Sequence, residues 1–149
     1  MKRSPIWPAL YVTLQWTWGI LQNLCGLAVF TVLVLRRPCL RPRLYHGAIV
    51  TPWAPRRGSM GLGMFIFFGH GERPEAELVM VHEWGHTIQS LILGPLYLFV
   101  IGLPSLIWAT SPRFVKHRRL RRTAYTAAYC EKWASRTGEK LLGRPAYWG

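Results

Sequence analysis

Aspartate is absent from this 149-residue chain, and acidic side chains are few: Glu72, Glu75, Glu77, Glu83, Glu131 and Glu139 are all of them. That scarcity limits which residues could hold a metal ion. The cysteines, Cys25, Cys39 and Cys130, form no close pair, which excludes a CxxC zinc or redox motif and a disulfide framework. Charge is missing altogether from Ser4 to Leu35 and again from Thr87 to Pro112. No internal repeat, low-complexity segment or nucleic-acid-binding signature is present.

What is present is basic. The formal net charge is +13. Nucleic acid, an anionic membrane surface and acidic substrates are the usual partners of such a balance. A long apolar run in the same chain favours the membrane, because basic residues beside a membrane segment attract anionic head groups. From about Leu10 to Leu35 the run is long enough for a transmembrane helix, which needs roughly 20 apolar residues. Trp16 and Trp18 stand near one end, and Arg36, Arg37, Arg41 and Arg43 follow the other. A signal peptide is the competing reading, since Lys2 and Arg3 precede the run. A retained anchor is favoured, with its arginine-rich end toward the cytoplasm. The expected division is therefore an anchor with its basic flank over 1–43 and a compact domain over 44–149.

Within that domain, residues 44–73 are rich in Pro and Gly, and Met64 to Phe68 reads as one short strand. The segment from Pro74 to Leu93 reads as the best-defined helix. Pro74 suits its first position, Glu75 and Glu77 suit its first turn, and Gly94-Pro95 stop it. Leu96 to Ala109 is apolar but interrupted by Pro104, and fits a re-entrant or interfacial membrane element better than a plain span. A basic run over 113–122 follows, then a helix from about Thr123 to Leu142. The expected class is mainly α with a short β element, a transmembrane helix at the N-terminus and a zincin-like helical core.

The chemistry lies in His82-Glu83-Trp84-Gly85-His86, an HExxH motif. Four residues is about one helical turn, so both imidazoles share a face and can share one metal ion. Glu83 points to an adjacent part of the same surface, where it can take a proton from water on that ion without binding it. Its apolar surroundings argue against an ordinary exposed histidine pair. A catalytic zinc commonly takes a third protein ligand. With Asp unavailable, Glu131 on the last helix is favoured and His70 comes second; His46 and Glu139 remain open. Tyr125 or Tyr129 is a weaker candidate for stabilising an oxyanion, and Met64–Phe68 for pairing with an extended substrate.

HEWGH followed by a distant helical Glu131-Lys132-Trp133-Ala134 resembles the gluzincin class of metallopeptidases, in which a glutamate on a later helix completes HExxH. More closely, the motif with Gly94-Pro95-Leu96-Tyr97 and Gly102-Leu103-Pro104-Ser105 resembles small bacterial membrane proteins carrying an HE-aromatic-GH sequence. The ExxA segment is also similar to that of HtpX-type membrane zinc peptidases. There an Asp usually follows; here Ser135 does, which leaves a histidine ligand without its usual carboxylate partner. The resemblance implies a Zn2+ cofactor held by His82, His86 and Glu131, with Glu83 as catalytic base. It also implies a peptide or protein substrate and a bacterial inner-membrane location near the cytoplasmic side. A non-catalytic membrane adaptor with a structural or absent metal is the alternative. No nucleic-acid partner is expected.

Overall fold

The structure, a computed structural model, describes residues 8–53, 58–69 and 74–149. It is mainly helical, with one small mixed sheet. The elements run α1 (Pro8–Thr17), α2 (Ile20–Arg36), β1 (Arg43–Tyr45), β2 (Ala48–Pro52), β3 (Met60–Leu62), β4 (Phe65–Phe68), α3 (Ala76–Leu93), α4 (Leu103–Thr110), α5 (Pro112–Arg121) and α6 (Tyr129–Leu142).

The apolar run expected as one transmembrane helix is two helices. α1 and α2 meet at 96° around Trp18-Gly19, and no single described helix is long and apolar enough to cross a membrane. The break has a local cause. Gln15 and Asn23 turn inward on either side of it, and the Asn23 side-chain amide donates to the Gln15 carbonyl. The charge-free stretch is therefore not uniformly lipid-like. Tyr11, Gln15, Gln22 and Asn23 are all buried. Residues on both sides of the expected boundary at 43/44 share one core, because Tyr11, Val50, Phe65–Phe68 and Trp84 belong to the same cluster.

The expected single strand is one of four, in the order β1-β2-β4-β3. β1 and β2 form a hairpin across His46-Gly47. Both residues have positive φ (46° and 90°), as a two-residue turn matched to strand twist requires. β4 lies parallel to β2 and antiparallel to β3, so it is internal, and β1 and β3 are the two edge strands. All four residues of β4 are buried. This explains its unbroken apolar sequence, because a strand covered on both faces has no reason to alternate.

α3 begins at Ala76, with Pro74 and Glu75 in the preceding turn rather than inside the helix. Every residue from Val79 to Ser90 is buried. Gly94, at φ 52°, turns the chain out of the helix, and a Cβ there would strike the Trp18 ring. One turn of 3-10 helix (Gly94–Leu96) ends that arm, and one turn of π-helix (Leu98–Gly102) with α4 then folds back at 119° to it. The basic run is α5, and α6 starts at Tyr129, six residues later than the sequence suggests, after a 3-10 turn at Tyr125–Ala127.

α3 packs against α6 through two glycines. A Cβ on Gly85 would overlap the Ala134 carbonyl, and one on Gly138 would overlap the Val81 carbonyl. Backbone cannot yield as a flexible side chain can, so the helices must separate to admit a methyl group. Gly85→Ala and Gly138→Ala should each destabilise the fold by about 1–3 kcal/mol, read as a lower denaturant midpoint. Gly102→Ala, whose Cβ would meet nothing closer than Leu98 Cδ2 at 3.6 Å, should leave the midpoint unchanged or higher.

Candidate metal centre

One turn of α3 stacks the His82 and His86 rings edge to face, 4.9 Å between centroids. The first turn of α6 brings Glu131 against them, rather than the mid-helix position read from the sequence. Its Oε2 lies 3.0 Å from His82 Nε2 and 3.4 Å from His86 Nε2. Glu131 is 1 % exposed, so it does not form the surface ion pair with Lys132 or Arg136 that is its plainest alternative role.

The far side of each ring is occupied. Ser135 Oγ donates to the Tyr147 carbonyl at 2.6 Å, which leaves its lone pairs to accept His82 Nδ1–H at 2.8 Å. Gln89 donates its amide to the Cys130 carbonyl at 2.9 Å, so its Oε1 accepts His86 Nδ1–H at 2.7 Å. Both tautomers are thereby set with the Nε2 lone pair aimed at Glu131. Ser135 and Gln89 supply the orientation that carboxylates give histidine ligands elsewhere.

Two lone pairs and a carboxylate oxygen converging in a buried site call for a cation. In the apoprotein a proton takes that part. Burial would lower His86, but the Glu131 carboxylate and its hydrogen bond outweigh burial and raise it to about 9. Burial would raise Glu131, yet the two facing imidazoles hold it well below the usual carboxylate range. For His82 burial prevails over the bond to Glu131, and its pKa falls. The donor set also fits a metal. The three donor atoms lie within 4.8 Å of one another. A tetrahedral ion with bonds of about 2.0–2.1 Å needs donors roughly 3.4 Å apart, close to the two separations measured.

Glu83 stands beside this set rather than in it. It is buried, and its Oε2 has no hydrogen-bond partner among the described residues. Burial is the main cause that pushes its carboxyl up to about 7. Glu83 and His86 line a cavity of about 520 Å3, together with β3, Tyr97, Tyr125 and the segment Leu98–Thr110.

Set against known protein families, curated proteins and solved structures, this chain matches none of them. The functional reading rests on the site's own geometry.

Other candidates are elsewhere. His70 and Glu72 lie outside the described residues. His46 sits in the β1–β2 turn, where its carbonyl accepts Trp84 Nε1–H. His117 is exposed on α5. Glu139 is not simply solvated, since it accepts from the Ala146 backbone and the Trp148 indole. Cys130 is buried beside Glu131, its sulfur 3.7 Å from Oε1. Tyr129 points away and donates to the Val100 carbonyl. Sequence reasoning missed Gln89 and Tyr97. Gln89 was within reach, since it lies three residues after His86 on the same helical face. Tyr97, whose hydroxyl donates to the Gly61 carbonyl at 3.1 Å, gave no local sign.

Two predictions follow from the hydrogen bonds behind the rings and the raised His86. Ser135→Ala and Gln89→Ala should each weaken binding of an added divalent metal ion by about 10–100-fold, measured by competition with a chromophoric chelator. A metal ion held there must also displace the His86 proton. Apparent affinity should therefore rise with pH until about pH 9, with close to one proton released per ion at pH 8, measurable by titration calorimetry in buffers of different ionisation enthalpy.

Proposed function

We propose that this protein is a membrane-associated zinc-dependent peptidase. The observation that carries the proposal is the convergence of His82 Nε2, His86 Nε2 and Glu131 Oε2 on one point, with Glu83, whose Oε2 has no partner among the described residues, at the wall of an adjoining cavity. Two imidazoles and one carboxylate form a donor set of catalytic zinc, which leaves a coordination position open. When bound, zinc polarises a substrate carbonyl and lowers the pKa of water from about 15.7 to about 7.

The chain's own residues supply the rest. Glu83 accepts a proton at Oε2 as water attacks the peptide carbonyl, and delivers it to the departing amine. A carboxyl held at about 7 is suited to both halves of that transfer near neutral pH. Ser135 and Gln89 keep the imidazoles oriented through the cycle. Substrate pairing falls to β3, the edge strand beside the cavity, rather than to the Met64–Phe68 segment. β3 lines the cavity, and Gly61 lets it lie close against the metal helix, where a Cβ would meet His86 Cβ at 3.2 Å.

Membrane association is supported by exposed apolar side chains on both bent helix pairs. Leu10, Trp18, Leu24 and Leu35 stand out on α1–α2, and Phe99 and Ile107 on the returning segment. Arg36 and Arg37 close α2, and α5 follows α4 with Arg113, Lys116, Arg118, Arg119 and Arg121. Apolar surface bordered by cations fits insertion into an anionic leaflet.

Purified protein should hold one zinc per chain, lost in His82→Ala and in His86→Ala, by elemental analysis. Glu83→Gln should keep the zinc and lose at least about 100-fold in cleavage of a peptide library; full turnover by that variant defeats the mechanism. The protein should float with vesicles containing phosphatidylglycerol and remain bound in part at high salt, because the apolar contribution is not screened.

A further inference from the structure

β3 offers less edge than its length suggests. Leu62 and Phe65 flank the two-residue turn Gly63-Met64, and such a turn closes on a pair that exchanges both backbone hydrogen bonds. Bonded and non-bonded pairs alternate along an antiparallel ladder, so Met60–Phe67 is bonded as well and Gly61–Ile66 is not. The other side of β4 has the same phase. The Met64 and Phe68 carbonyls accept from the Ile49 and Trp53 amides on the β2 side, which leaves Phe65 and Phe67 to face β3. Gly61 is therefore the one residue of β3 whose N–H and C=O both point away from the sheet, and it lines the cavity with Glu83, His86 and Tyr97.

That carbonyl is already taken. The Tyr97 hydroxyl donates to it at 3.1 Å. Tyr97 is buried, in one cluster with Ile101 and Cys130. It stands at the joint between the 3-10 turn Gly94–Leu96 and the π turn Leu98–Gly102, where the helical ladder changes pitch. Joints of this kind inside a helical arm often act as hinges. A peptide added to β3 would bring a backbone N–H to the same oxygen, at about 2.7–3.2 Å. Two donors closing on one outward carbonyl from the cavity side crowd each other, so the hydroxyl must give way. We propose that Tyr97 is a latch on the substrate edge: its hydroxyl fills the place of a substrate backbone N–H at the Gly61 carbonyl, and an extended peptide binds by replacing that bond. The proposal rests on the peptidase reading and its pairing at β3, and adds the residue that sets how readily the edge opens. A segment with proline at the pairing position has no N–H to offer and cannot release the latch.

Full-length Glu83→Gln protein with added zinc, in detergent, is titrated with a dansylated hexapeptide of alternating Val and Thr. It is titrated also with analogues in which one amide at a time is replaced by an ester, which removes the N–H without adding bulk. Adding Tyr97→Phe removes the competing donor, so the parent peptide should bind about 2–10-fold tighter, the worth of one net hydrogen bond. That gain should vanish for a single ester analogue, the one without the N–H that meets Gly61. A hydroxyl that only steadies the strand predicts the opposite sign and acts on every analogue alike. Equal or weaker binding of the parent by the Phe variant, a gain shared by all analogues, or no binding to either protein overturns the latch. Tyr97→Leu repeats the comparison where the Phe variant does not fold, and failure of both to fold makes the hydroxyl structural and also overturns it. If the binding pattern holds while protein with Glu83 intact leaves the parent peptide uncut, the peptidase reading fails and the latch remains, on a peptide-binding edge.

Discussion

The close approach of α3 and α6 is what the site depends on. Glycine at 85 and at 138 lets backbone meet backbone, each beside a carbonyl of the opposite helix. Only at that separation can the short Glu131 side chain reach both imidazoles. The same contact places Ser135 behind His82 and the Cys130 carbonyl within range of Gln89. One packing constraint thus brings the three donor atoms together and fixes the tautomers of the two rings. Gly85 occupies a variable position of the HExxH pattern, yet its lack of a side chain matters as much to the geometry as the named residues do.

The N-terminal helices serve the same helix from its other side. Gln15 donates to the Thr87 carbonyl at 2.9 Å, and Gln22 to Ser90 Oγ at 2.7 Å and the Gly94 carbonyl at 3.1 Å. The Gly94 carbonyl lies where α3 gives way to irregular turns, and a buried helix end needs partners of this kind. Asn23 extends the network to the sheet by accepting the Met64 amide at 2.8 Å. Segment 8–36 therefore carries polar groups that the fold consumes. An apolar segment that only anchored the chain would have no use for them.

The HExxH helix was legible because its signal is local: one turn, two ligand-type residues and a stop at Gly94-Pro95. Glu131 was legible by elimination in a chain without aspartate, and by the apolar residues after it. The kink at Trp18-Gly19 was not, because Gln15, Gln22 and Asn23 read as tolerable polar interruptions until their distant partners are known. β1 and β2 were missed because each is short and the His46-Gly47 turn does not use the commonest turn residues. Which strands lie at the edges, β1 and β3, could not be read at all. Pairing order is set by contacts between segments, and β4 carries the strongest strand signal because it is internal.

The final segment gives the site an unexpected dependency. Tyr147 is held by the Leu78 carbonyl, Ala146 and Trp148 by Glu139, Trp148 again by Thr126, and Gly149 by the Tyr125 amide. Its Tyr147 carbonyl is the acceptor that draws the Ser135 hydroxyl proton away from His82. Peeling these residues away would free that hydroxyl to rotate and donate to the imidazole instead, inviting the proton to the ring nitrogen that faces Glu131. Through Tyr125 it would loosen the cavity wall as well. Two hydrogen bonds thus tie a strand of chain lying outside every regular element to the electronic state of a buried histidine.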